Sequence, residues 1–192
     1  IRYTLVRPLV HRATHGHYNG MFLALRNLRH HGYRRIGFAT RLEQSERVAS
    51  SWLAALLVYQ QSIPENQRVP ALLSPVSVHE GMDAGAFKKW YHRHKPDVVI
   101  SNLSNPLDLL RAMGLRVPED VGYASLDLIQ KDDPWAGIDQ QADEVGAAAV
   151  DQVVTQLQNN EFGLPKYPKT VSLDGLWRDG NTLLPHRLAA AR

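Results

Sequence analysis

Apolar residues along this chain change their spacing in a regular alternation. Met21, Phe22, Leu25 and Leu28 recur at helical intervals after Asn19, which reads as an N-cap, and Gly32 stands where a C-terminal cap belongs. A strand is predicted over 34–40. Ser45 then reads as the cap of a second helix with Val48, Trp52, Ala55, Leu56 and Tyr59 on its apolar side, ending before Pro64. A strand follows around 69–73. A third helix carries Met82, Ala86, Phe87, Trp90 and Tyr91 and stops before Pro96, because a residue preceding proline is biased out of the helical region. Val98, Val99 and Ile100 form a continuous apolar run, as expected of a strand covered on both faces. Asn105 and Pro106 read as cap and first-turn proline of a short helix through Leu107, Leu110 and Met113, closed by Gly114. Another strand is predicted over 121–125. Strands alternating with helices of these lengths predict right-handed βαβ units around a parallel sheet, a doubly wound α/β fold.

After Pro134 the pattern changes. Asp139 precedes a helix with Ala142, Val145, Ala149, Val150, Val153 and Leu157 on one side, so the AGIDQ segment reads as the opening of that helix. The stretch 170–177 alternates as one final strand, and a further strand is predicted near 1–10. The tail LLPHRLAAAR reads as frayed or as a short helix. The chain carries no internal repeat and no low-complexity linker.

A length of 192 residues suits one domain, or one and a half, with room for a sizeable core. No apolar run approaches the ~18 residues of a membrane span, so no membrane partner is expected. The opening IRYTLVRPLVHR lacks the apolar segment and cleavage site of a signal peptide. The first residue is Ile1 rather than Met, so a fragment is the expectation. The net charge of +3 is mild, and basic groups such as Arg34–Arg35 and Lys88–Lys89 alternate with carboxylates, as solvated faces do. With no cysteine, a disulfide framework, a thiolate metal site and a cysteine nucleophile are excluded. A cytoplasmic location is the expectation.

Nine histidines raise the question of a metal. His15 and His17, His92 and His94, and the pair His30–His31 lack the second ligand at helical spacing that zinc hydrolases use, and residues two apart on a helix face different ways. No metal and no cofactor is expected. Nor does the chain contain a G-x-S-x-G elbow, a Walker loop or a G-x-G-x-x-G after a strand, so enzyme activity is not expected.

Four segments occur together in a telling order: GYRRIGF at 32–38, GLRVPEDVG at 114–122, AGIDQ at 136–140 and LWRDGNT at 176–182. In this order they resemble the effector-binding domain of LacI/GalR-type transcription regulators, over about 19–182. The resemblance implies a two-lobed, periplasmic-binding-protein-like sensor, in which ligand sits between lobes and an N-terminal helix-turn-helix reads DNA. No helix-turn-helix is present in this chain, and the N-terminal lobe is mostly missing. The expected division is 1–12 as a remnant of the N-terminal lobe, 13–135 as the C-terminal lobe, 136–162 as crossover and helix of the N-terminal lobe, and 163–192 as the final strand and tail of the C-terminal lobe.

By the same resemblance the family's ligand positions fall on Asn19, Arg47, Asn102, Asp127 and Gln140. A sugar presents hydroxyl groups, so its site needs side chains such as Asp, Asn and Arg at rigid strand ends. Each position also has a plain structural role open to it. Asn19 can cap its helix, Asn102 and Asp127 can cap turns, and Gln140 can serve the crossover. The interval from Arg47 to Trp52 departs by about one residue from the commonest family spacing. The implied partners are a small-molecule effector, operator DNA through the absent helix-turn-helix, and a second copy of the chain, with Trp52 and Trp90 as candidate contacts if core packing does not claim them. A solute-binding protein for sugar transport shares the two-lobed fold and stays open as the alternative. An α/β enzyme is a third.

Overall fold

The computed structural model describes residues 7–75, 81–128, 130 and 132–185. Its larger unit is built by eleven elements: α1 (His17–His30), β2 (Ile36–Arg41), α2 (Leu42–Arg47), α3 (Ser51–Gln61), β3 (Leu72–Ser74), α4 (Ala84–His94), β4 (Val98–Ser101), α5 (Asn105–Ala112), β5 (Gly122–Leu128), β6 (Ala136–Asp139) and β8 (Leu176–Arg178). The smaller unit comprises β1 (Arg12–His15), α6 (Ala142–Gln158) and β7 (Thr170–Leu173).

Six strands of the larger unit form one sheet in the order β3-β2-β4-β5-β6-β8, parallel except for β8, which runs antiparallel to β6. Each face of the sheet has its own core. On one, Met21, Leu25 and Leu28 of α1 and Trp52 and Leu56 of α3 pack with Phe38, Ile100, Leu126 and Ile138. On the other, Phe87, Trp90 and Tyr91 of α4 and Leu110 of α5 pack with Ala39, Val99 and Val121. Trp52 and Trp90 are thus core residues rather than interface contacts, and the indole of Trp90 donates to the Pro70 carbonyl at 2.7 Å. The doubly wound expectation holds in this sheet.

Several local expectations are corrected. Helix α1 starts at His17 with Gly16 at the N-cap position, so Asn19 lies in the first turn instead of capping it. The helix expected from Ser45 is two helices. Ala49 and Ser50 adopt left-handed backbone between α2 and α3, and Ser45 is buried inside α2. Asn105 does not cap α5. Its amide accepts from the Met82 N–H and donates to the Met82 carbonyl, both at 3.2 Å, tying α5 to the start of α4. Strand β5 runs on to Leu128.

The largest departure is at 136–139. Ala136–Asp139 is a strand in the middle of the sheet, not the opening of a helix. Its glycine makes this possible: a Cβ on Gly137 would lie 2.2 Å from the Ser125 carbonyl oxygen, so only glycine lets β6 close on β5 at the point where their register shifts. The stretch 170–177 is likewise divided. β7 pairs in parallel with β1, whereas β8 pairs with β6, and the change of sheet falls at Asp174 and Gly175. A Cβ on Gly175 would lie 2.5 Å from the Ile138 side chain.

Sheet membership therefore differs from the division expected from sequence. The stretch 136–139 joins the larger unit, and β1 pairs with β7 in the smaller one, on which α6 lies with the Gln152 amide donating to the Arg12 carbonyl at 3.1 Å. The strand expected near 1–10 has no counterpart at 7–10, the remainder lying outside the described residues, as does the end of the tail. The chain crosses between the units three times: from β1 to α1 at Gly16, from β6 to α6 at 140–141, and from β7 to β8 at 174–175.

Candidate functional site

In the six-stranded sheet β2 is entered first, β3 is added on one side of it and β4 on the other. The winding reverses between β2 and β4, and the crevice at the carboxyl ends of such a pair is where open α/β sheets take ligands. Thr40, near the end of β2, donates from its hydroxyl to the Asn102 side-chain carbonyl at 2.6 Å. This bond spans the switch point.

Asn102 is held from behind as well. Tyr123, buried in β5, donates to the Leu103 carbonyl at 2.6 Å, and the Leu103 N–H donates to Ser101 Oγ at 3.0 Å. Burial pushes the Tyr123 phenol far above its ordinary pKa, with the Asp108 carboxylate adding to the effect and a bond with Ser125 opposing it, so the hydroxyl stays a neutral donor. The loop carrying Asn102 is thereby fixed to two neighbouring strands.

Asp127 lies one residue before the end of β5, half-buried, its N–H donating to Ser125 Oγ at 3.1 Å. Gln140 immediately follows β6 and is buried, donating to the Leu126 carbonyl at 2.6 Å beside Asp127. Because α1 leads by a short turn into β2, its N-terminal end lies on the same carboxyl side of the sheet. There Asn19 donates to Asp174 at 2.9 Å, across the β7–β8 crossing. Arg47 ends α2 on the surface. The five positions share the carboxyl side of the sheet. The hydrogen bonds described run from them to third residues and not to one another.

Two features were missed in the sequence. Arg41 ends β2 at the switch point, largely buried, with one guanidinium nitrogen 2.6 Å from Glu43 and its Nε without a hydrogen-bond partner among the described residues. A charged residue closing the apolar run IGFAT was the available signal. Secondly, His15, His17, Trp52 and Gln140 line a small enclosed cavity at the crossings, where the His17 and Trp52 rings meet edge-on at 5.0 Å. Their H-x-H spacing had suggested only metal, and no group of three or more metal-ligating side chains occurs among the described residues.

The model of the periplasmic binding protein-like domain family matches residues 25–170. The chain belongs to that family. Its fold is shared with several solved structures. A LacI transcriptional regulator from a Rhodococcus species superposes with a TM-score of 0.67 at 19% identity, covering 92% of this chain and 66% of that one. A LacI family regulator from Enterococcus faecium with bound ribose gives 0.65 at 19%, covering 90% and 65%. The transcriptional regulator CelR in complex with cellobiose gives 0.67 at 19%, covering 94% and 57%. This periplasmic binding protein-like chain thus spans about two thirds or less of the length of those three structures. No curated protein matches it. Among the described residues of the domain, no helix is long and apolar enough to cross a membrane.

Proposed function

We propose that this domain senses a small polyhydroxylated effector, a sugar or related metabolite, for a LacI/GalR-type transcriptional regulator. The observation that carries the reading is the Thr40–Asn102 bond across the switch point, which sets a polar, rigidly held pair where the fold takes ligands. Asn102 and Asp127 would accept and donate to hydroxyl groups. Gln140 would brace the strand end under Asp127, and Asn19 and Arg47 would act at the rim, with Arg41 beside the pair. The ribose and cellobiose held by the two solved regulators favour this class of ligand. Binding would favour one arrangement of the two units over another, the shift in population that carries a signal. DNA would be read by a helix-turn-helix outside these residues, in a cytoplasmic homodimer, with no enzymatic step.

The test is calorimetric titration of the 192-residue chain with a panel of pentoses, hexoses and disaccharides that includes ribose and cellobiose. One of them is expected to bind, and Asn102→Ala or Asp127→Ala should each weaken that binding by about 1–3 kcal/mol, the cost of leaving a buried partner unsatisfied. Absence of binding across the panel, or equal affinity in both variants, would overturn the assignment.

A further inference from the structure

Helix α6 covers the β1–β7 pair with one side only. Val145 alone among its residues is fully buried, while Gln152 and Gln156 also lie on the inner side, half-buried. Beside that inner side runs a second stripe, Gly146, Val150, Val153 and Leu157, spaced four, three and four residues apart. These are the intervals of a coiled-coil seam. Val150, Val153 and Leu157 are each more than half exposed. A groove of about 420 Å³ follows this side of the helix, with Gly146, Val150 and Val153 on one wall and Ala13, Gly163 and Pro165 opposite.

The segment after α6 continues the exposed apolar surface with Phe162, Leu164 and Tyr167. Together with Val150, Val153 and Leu157 these side chains expose roughly 700 Å², close to what each partner contributes to a standard-size interface. A surface of this extent is larger than monomers ordinarily leave in water.

We infer that α6 pairs antiparallel with α6 of a second copy of the chain. The stripe is self-complementary under a two-fold axis: antiparallel pairing sets Leu157 of one copy over Gly146 of the other, and Val153 against Val150. The large residues at one end meet the small one at the other. A Cβ at Gly146 would encounter no atom within 4 Å, so the space that an incoming leucine needs is open. Parallel pairing would oppose glycine to glycine and leucine to leucine, leaving a gap at one end and crowding at the other. This surface is separate from the switch-point site and does not depend on the sensing role.

Multi-angle light scattering of the 192-residue chain at micromolar concentration should give twice the chain mass. Val153→Glu and Leu157→Glu should each weaken the dimer about tenfold or more, as central contacts do. Thr155→Lys, on the opposite side of α6, should leave it unchanged, and circular dichroism of each variant checks that the fold persists. The absence of native cysteine permits a second readout. A mixture of Gly146→Cys and Leu157→Cys chains should form a mixed disulfide dimer faster than either variant alone. A monomer throughout, a dimer indifferent to Val153→Glu, or faster cross-linking of Leu157→Cys by itself would each overturn the proposal. The first of these would point to closure of the groove within one chain, and the others to a different face.

Discussion

Single side chains in this domain do two kinds of work, and their chemistry separates them. Tyr123 is a strut: a neutral phenol under the loop that presents Asn102. Tyr123→Phe should keep the packing but leave the Leu103 carbonyl short of a donor, costing about 0.5–1.5 kcal/mol in denaturant unfolding. Asp120 holds the 114–122 turn by accepting from the Arg116 backbone N–H at 2.8 Å and from its guanidinium at 2.6 and 2.9 Å. These bonds, the guanidinium's first, hold its carboxyl at about 2 rather than the ordinary 3.8. Because the folded value is depressed, the turn's contribution is complete above about 3.8 and fades as pH falls through about 2. A carboxyl-resolved NMR titration should find that midpoint near 2, and Arg116→Ala should return it toward 3.8. A midpoint unchanged by the substitution would assign the depression to something other than the arginine.

At the scale of elements, helices and strands that bury one consistent face were readable from spacing. Val98, Val99 and Ile100, the Phe87–Trp90–Tyr91 face of α4 and the Pro106 start of α5 all lie where apolar periodicity and proline chemistry put them. The illegible places are those where a contact distant in sequence overrides a local signal. Asn19 carries the chemistry of a cap, yet Asp174 takes its amide and α1 begins earlier. Four residues containing a glycine resemble a loop until Ser125 lies against them, and only then is β6 a strand. Gly137→Ala would drive a methyl into that carbonyl and should destabilise the domain by about 1–3 kcal/mol or more, measured by thermal or chemical unfolding. The break between α2 and α3 hides similarly, since two left-handed residues, Ala49 and Ser50, carry no glycine to announce them. It falls within the Arg47–Trp52 interval that departs from family spacing. Ser50→Gly should relieve left-handed strain and raise stability by up to about 1 kcal/mol. Of the candidate site, Asn102 and Asp127 were visible because each follows an apolar run, whereas Arg41 and the His15–His17–Trp52 cluster depend on which strands become neighbours.

For the whole molecule, the two units differ in how their sheets are covered. The six-stranded sheet has a core on each face, while β1 and β7 form a parallel pair supported by one helix. Parallel strands draw stability from being covered, so the smaller unit should open first. Hydrogen exchange should show the slowest amides in β2, β4 and β5 and faster exchange in β1, β7 and α6. Equal protection in both would mean that the exposed side of α6 is covered in solution. The three crossings at Gly16, 140–141 and 174–175 carry a mechanical consequence. Three separate tethers joining two bodies block sliding and separation but leave a swing about the line through them, like a door on three pins. Gln140, Asn19 and the His17–Trp52 contact stand at those pins, so a small molecule lodged nearby would have leverage over the angle of the door.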